Sequence, residues 1–313
     1  MGAIYVDEKF GGSGLKRLDA ALIIEALATA CPGVAGFLSI HNMCAWMIDR
    51  FGSEALRARF IPRLATMERC ASYCLTEANA GSDAAALATR ATRDGAHFVL
   101  NGQKQFISGA GNEAGFYVVM ARTGDASHKG VSAFAVEGDT PGLSFGANER
   151  KMGWHVQPTR AVIFEDCRVP AENMIGKEGQ GFSIAMAGLD GGRLNIAACS
   201  LGGAQGALDK AVAYMRERKA FGKRIAEFQA LQFRVADMVI ELEAARAMLW
   251  RAASALDGLA HDATQLCAMA KRFVTDTGFN VANGALQMFG GYGYLAEYGI
   301  EKIVRDLRVH QIL

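Results

Sequence analysis

The 313-residue sequence predicts an α+β fold in three consecutive blocks: an N-terminal α-helical block over residues 1–70, a central antiparallel β-domain over 71–178 and a C-terminal α-helical bundle over 179–313. Three observations carry this. Apolar side chains recur at helical spacing before residue 70. Between Ala71 and Pro170 that period gives way to short β-branched and aromatic runs separated by turn residues. From Gly181 onward the helical period returns, interrupted only at glycine-containing turns.

In the first block Leu18, Leu22, Ile23, Ala26 and Leu27 share one helical face, which predicts a helix over 18–30. A second is predicted from about Ala35 to Arg50. Ser53 is placed to cap a third, because its hydroxyl can accept from a free first-turn amide while Glu54 meets the positive helix end. Pro62 lacks an amide hydrogen and is expected to break or kink that helix near its end.

In the second block, strands are predicted at His97–Leu100, Gln105–Ile107, Phe116–Met120, Val131–Val136 and Ala161–Phe164. Asn101-Gly102 reads as a two-residue hairpin turn between His97–Leu100 and Gln105–Ile107, since both residues tolerate positive φ. The third block contains helices near 181–217, 228–257 and 262–289, separated by Gly222 and Asp257-Gly258. No repeat or low-complexity linker is present, so the blocks are expected to pack together, with a ligand cleft between sheet and helices.

Composition removes several function classes. Lys+Arg 33 against Asp+Glu 32 leaves a formal charge of +1, too little for a field that would hold nucleic acid or an anionic membrane. Hydrophobic residues at 51% and charged ones at 21% exclude disorder. No apolar window reaches the length of a membrane span, and Asp7, Glu8 and Lys9 stand where a secretory signal needs an apolar stretch. Seven dispersed cysteines without a C-x-x-C pair read as reduced thiols, and six scattered histidines without H-E-x-x-H predict no metal site. Gly109-Ala-Gly111-Asn-Glu-Ala114 fits the G-x-G-x-x-A dinucleotide pattern, but a strand is predicted to follow it where that fingerprint requires a helix.

The segment Tyr73-Cys-Leu-Thr-Glu-Ala-Asn-Ala-Gly-Ser-Asp83 places hydroxyls, an acid and a glycine turn after a strand. Its hydroxyls and turn amides could hold a polar ring edge or phosphates, although on composition alone it reads better as a strand followed by an Asx-type turn. It stands in company with Phe106-Ile-Ser108, Arg218-Lys-Ala-Phe-Gly222 and Gln287-Met-Phe-Gly-Gly-Tyr-Gly293. With these in order, the chain resembles the acyl-CoA dehydrogenases, flavoenzymes that oxidise acyl-CoA thioesters to α,β-enoyl products. The resemblance runs end to end, through Gly11-Gly-Ser-Gly14, Leu75 to Asp83, Leu100-Asn-Gly-Gln-Lys104, Lys151-Met-Gly153, Val169-Pro170, Gly191-Gly-Arg193, Phe228-Gln229 and Arg305-Asp306. Ser39 to Asp49, Phe106 to Gly111, Gln157 to Cys167 and Arg308 to Leu313 are most similar to members acting on isobutyryl-CoA in valine catabolism. A 2-methylbutyryl- or butyryl-type specificity, or a non-catalytic flavin or acyl-CoA binder, are the alternatives.

The resemblance implies FAD as cofactor and an acyl-CoA dehydrogenase-like fold. It implies that Tyr73, Cys74, Leu75, Thr76 and Ser82 line the FAD, with Thr76 on the isoalloxazine edge and Ser82 also facing the acyl-CoA. Phe106 stands where many members carry a tryptophan against the flavin, followed by Ile107, and Ser108 where many carry a threonine near N5. Asp190, Gly191, Gly192 and Arg193 match the stretch that contacts CoA. Arg218, Phe221, Phe228, Gln229, Gln287, Met288, Gly290 and Gly291 match residues that bind a neighbouring subunit's FAD, which implies a dimer within a homotetramer. An electron-transferring flavoprotein is the implied acceptor, and the implied compartment is cytoplasmic in a bacterium or the mitochondrial matrix in a eukaryote.

Family members take the substrate α-proton with a glutamate. Most carry it directly after the segment matching His310 to Leu313; a minority carry it just before the residue matching Arg193, where this chain has Gly192. No catalytic residue is therefore assigned within the 313 residues, both ends are expected to be incomplete, and Glu77 and Asp83 are expected in cofactor or structural roles.

Overall fold

A computed structural model of the protein describes residues 1–112 and 115–313. The glycine-rich stretch from Gly109 to Ala114 extends into residues 113 and 114, which lie outside the described residues; the element after it is a strand. The chain divides into two compact units, one of residues 1–15, 37–150 and 157–189, the other of residues 16–36, 151–156 and 190–313.

The first three helices are α1 (Arg17–Ala30), α2 (Pro32–Phe51) and α3 (Glu54–Ala65). Ser53 Oγ accepts from the Leu56 amide at 3.2 Å, the expected cap. Pro62 is held inside α3, which stops at Ala65.

The first unit holds an eight-stranded sheet of β1 (Ala71–Cys74), β2 (Arg90–Asp94), β3 (His97–Ser108), β4 (Phe116–Arg122), β5 (Val131–Glu137), β6 (Leu143–Phe145), β7 (Thr159–Pro170) and β8 (Met174–Ile175). Its order is β6-β7-β3-β2-β4-β5-β8, with β1 also paired to β4. The sheet is mixed, a correction to the antiparallel expectation: β1 and β2 both run parallel to β4, because β1 arrives from α3 by a connection that is not a hairpin. The Asn101-Gly102 hairpin is also corrected. β3 runs unbroken through both residues, and the turn lies earlier, between the paired Asp94 and His97, where Gly95 takes φ 59°. Gly102, at φ 143°, instead lies across from a bulge at Asp166 in β7, with Asn101 exchanging hydrogen bonds with Asp166 at 2.9 and 3.0 Å.

β4 is buried on both faces, which explains its continuous apolar run. Phe116, Val118 and Met120 join Met43, Met47, Phe60 and Leu64 of α2 and α3 in one core. Tyr117, Val119 and Ala121 face the other, with Phe98, Phe134, Val162 and Phe164.

The long helix α4 (Gly181–Glu217) continues into the second unit, followed by a two-stranded hairpin of β9 (Lys219–Ala220) and β10 (Lys223–Arg224), then α5 (Gln229–Asp257), α6 (Ala263–Met288) and α7 (Ile300–Arg308). Small residues let α4 approach α1 closely: a Cβ on Gly202 would lie 2.0 Å from the Glu25 carbonyl and one on Gly206 2.4 Å from that of Thr29. Trp154 is buried in the same unit, and its backbone amide donates to Asp306 Oδ1 at 2.6 Å. No described helix is long and apolar enough to cross a membrane.

Candidate functional site

In the first unit the chain leaves β1 at Cys74 and is at once tied to β3. The Gln105 amide donates to the Thr76 carbonyl at 2.8 Å. The Lys104 ammonium, fully buried, donates to the Leu75 carbonyl at 3.1 Å and to Glu77 Oε1 at 2.7 Å. Glu77 also accepts from the amides of Ala88 and Thr89 and from the Thr89 hydroxyl, at 2.7, 3.0 and 2.6 Å. Burial alone would raise the Glu77 pKa, but the Lys104 charge and these donors hold it below the usual carboxylate range. Its oxygens are occupied by donors, so the carboxylate is an anchor of the segment.

Two residues further along β3 the pairing slips. Lys104 pairs with Val162 and Ile107 with Arg160, so β3 carries one extra residue at this point. Phe106 absorbs it at φ 59° and projects its ring outward, 62% exposed. A bulge re-aims a side chain, and left-handed backbone at an aromatic residue is strained, so an exposed ring there is held against both sterics and hydration. Ser108, half-buried, ends β3 opposite Thr159. Thr76 is half-buried and Ser82 exposed. Cys74, Leu75 and Ile107 point into the core, and burial pushes the Cys74 thiol up to about 12. The Tyr73 hydroxyl is enclosed without a hydrogen-bond partner, and burial raises its pKa strongly.

In the second unit the β9–β10 turn is Phe221-Gly222, with φ 51° and 80°. Positive φ at both central residues is the geometry for which asparagine and glycine are preferred. Here a phenylalanine occupies it, with its ring 95% exposed and 6.1 Å from that of Phe228. Gln229, exposed, opens α5.

Arg218, Gln287, Met288, Gly290 and Gly291 come together around an open pocket of about 420 Å³ with Tyr214, Ile225, Leu231, Phe289, Tyr292 and Leu295. Tyr214 stacks on Phe289 at 4.3 Å, and the Arg218 guanidinium lies 5.1 Å from the Tyr292 ring centre. Arg218 lies exposed. Gly290, at φ 59°, and Gly291 have open space where a Cβ would point.

On α4, Arg193 pairs with Asp190 at 2.7 Å, and Asp190 also accepts from the Thr264 hydroxyl at 2.7 Å. A Cβ on Gly191 would meet the Arg17 guanidinium at 2.4 Å, and Gly192 is half-buried beside it.

The residues that sequence reasoning missed are Tyr214 and Tyr292, which help to wall the pocket, and it offered Lys104 only as part of a motif, without its burial. Tyr292 lies within the Gln287 to Gly293 run, which was the available signal. Nothing local marked Tyr214, on a different helix, or the burial of a lysine in an otherwise polar stretch.

Three family models together match most of the chain: "Acyl-CoA dehydrogenase, N-terminal domain" over residues 1–68, "middle domain" over 72–167 and "C-terminal domain" over 179–313. The chain is 57% identical over 312 residues to a mitochondrial isobutyryl-CoA dehydrogenase of Bos taurus, covering 100% of this chain and 75% of that protein. It is 57% identical over 313 residues, with the same coverage, to the mitochondrial isobutyryl-CoA dehydrogenase of Dictyostelium discoideum. A chain in the structure described as the electron transferring flavoprotein of Acidaminococcus fermentans superposes with a TM-score of 0.96 at 43% identity, over 99% of this chain and 82% of that one.

Proposed function

Because the chain belongs to the acyl-CoA dehydrogenase family and is an FAD-dependent oxidoreductase, we propose that it converts isobutyryl-CoA to methacrylyl-CoA. The observation that carries the substrate is the 57% identity, over the entire chain, to isobutyryl-CoA dehydrogenases from two distant organisms.

The residues present fit the cofactor. Phe106 and Phe221 offer exposed aromatic faces at strained φ, and Arg218 brings a charged fork suited to a diphosphate. Gly290 and Gly291 leave room for a bulky group to approach the backbone. When bound, FAD supplies the hydride-accepting chemistry. The chain's own part is to bind and orient. Thr76 and Ser108 would hold the ring edge, Phe106 would offer its aromatic face to it, and Ser82 would face the acyl-CoA. Asp190 to Arg193 hold the CoA moiety. Arg218, Phe221, Phe228, Gln229 and Gln287 to Gly291 would bind the diphosphate and adenosine of a second subunit's FAD. Glu77 does not take the α-proton, because its oxygens are committed to Lys104, Ala88 and Thr89.

Exposed Phe233, Ile240, Met269 and Phe273 on α5 and α6 support a homotetramer. An electron-transferring flavoprotein is the acceptor, a reading supported by the likeness to a chain of the Acidaminococcus fermentans structure. In a eukaryote the site of action is the mitochondrial matrix, in a bacterium the cytoplasm.

The test is an anaerobic titration of FAD-loaded polypeptide carrying either glutamate or glutamine directly after Leu313. Isobutyryl-CoA should bleach the flavin in the glutamate form faster than 2-methylbutyryl- or butyryl-CoA does. Faster bleaching by butyryl-CoA, or equal bleaching in the glutamine form, overturns the reading.

A further inference from the structure

We propose that Lys104 is a positioning residue for the flavin-facing surface, fixing Thr76 relative to Phe106; this rests on the FAD contacts proposed above for those two side chains. The two acceptors of its ammonium, the Leu75 carbonyl at 3.1 Å and Glu77 Oε1 at 2.7 Å, flank Thr76 on either side. Between them the Thr76 carbonyl accepts from the Gln105 amide at 2.8 Å. Lys104 and Gln105 are the two residues before Phe106, on the N-terminal side of the bulge that turns its ring outward. The segments carrying the hydroxyl and the aromatic face are thus stitched together within a few residues. Glu77 carries the connection on to Ala88 and Thr89, closing the loop that contains Ser82.

A fully buried ammonium is a poor device for stability alone, because an apolar side chain of similar volume would fill the space without desolvating a charge. What the lysine adds is direction: in a low-dielectric interior its bonds to fixed acceptors are strong and tolerate little displacement. Binding and hydride chemistry at a ring are sensitive to shifts of about 1 Å in the groups that hold it.

The experiment titrates FAD into the wild-type chain, Lys104→Met, the double variant Glu77→Gln/Lys104→Met, and Leu64→Ala as a buried α3 control, reading the FAD Kd, the visible flavin bands and the melting temperature without FAD. Lys104→Met leaves the Glu77 charge buried and unpaired, so its melting temperature falls. The double variant is neutral and recovers most of that loss. Positioning requires that it still bind FAD about tenfold more weakly, with displaced bands, while Leu64→Ala melts lower and keeps both. Recovery of Kd and bands in the double variant reduces Lys104 to a structural role and overturns the inference. So does an equal weakening in Leu64→Ala, since affinity would then merely follow stability. A wild-type chain that takes up no FAD overturns the cofactor contacts themselves, and the inference with them.

Discussion

The indole N–H of Trp154 donates to His310 Nε2 across 3.2 Å, and that bond decides the protonation of the imidazole. With Nε2 accepting, the proton of the neutral ring sits on Nδ1, facing Ser200 Oγ at 2.7 Å, and the serine hydroxyl passes its own hydrogen to the Ile196 carbonyl at 3.1 Å. Every polar group in this buried chain is satisfied only while His310 is uncharged.

Acid should therefore attack the fold through His310. Burial, with a smaller push from the Lys271 charge, lowers its pKa to about 3. An unfolded histidine titrates near 6.5, so below that pH the unfolded chain binds the extra proton and the folded one does not. The contribution is fully present above pH 6.5 and drains as pH falls toward 3, by up to about 1.4 kcal/mol per pH unit. Denaturant titrations at a series of pH values should show wild type losing stability faster than His310→Gln between pH 6.5 and 4. Parallel curves would contradict this. His41 is a second buried histidine with a lowered pKa, so some slope should survive in the variant.

Disturbing the Trp154 ring should cost stability in two interchangeable ways. A Cβ on Gly36 would lie 2.4 Å from Trp154 Cζ2, so Gly36→Ala must displace the indole, at about 1–3 kcal/mol. Trp154→Phe keeps a ring but leaves His310 Nε2 without its donor, also about 1–3 kcal/mol. Because both act on one hydrogen bond, the double variant should lose less than the sum of the singles. Strict additivity in equilibrium unfolding would show that the two changes act separately.

Relieving the aromatic outliers should separate stability from cofactor binding. Phe106→Gly and Phe221→Asn replace residues at φ 59° and 51° with ones suited to that backbone, and neither ring is buried. The melting temperature without FAD is expected to hold or rise, while the FAD Kd rises about tenfold or more. A variant that melts lower and binds FAD normally would show that the strain has no bearing on the cofactor.

Arg218→Gln should leave the melting temperature nearly unchanged, since the side chain is exposed and its contact with Tyr292 is a surface one. It should weaken FAD binding by about 10- to 100-fold, the scale of a lost charge-assisted hydrogen bond. Wild-type affinity should also fall more with added salt than that of the variant. Equal salt slopes would remove Arg218 from the diphosphate.

The helices were legible because burial of one face imposes a period, and α4, α5 and α6 fall within a residue or so of the expected spans. β4 was legible because it is buried on both sides. β2 was missed: Arg90-Ala-Thr-Arg-Asp94 is polar and mostly exposed, so no alternation marks it. Gly102 misled because a glycine required beside Thr89, where a Cβ would lie 2.7 Å from the Thr89 Cα, looks the same in sequence as a glycine required by a turn. The aromatic and glycine residues of the candidate site were legible as motif. A cofactor or structural role for Glu77 was expected, but its pairing with Lys104 was not legible, because long-range burial of a charge leaves no local pattern.

The pairing of β3 with β7 also sets a timetable. β4 and β5 are neighbours in sequence and can zip together early, whereas His97 must wait for Pro170, and Ser108 for Thr159, until every intervening strand has been laid down. The late seam is the one that contains the bulge at Phe106. A newly made chain should therefore pair β4 with β5 before it closes the seam that carries its aromatic platform and the β7 side of the second core. In pulse-labelling hydrogen exchange during refolding, β4 amides should be protected ahead of those in β7, and competence for the cofactor should appear with the second event.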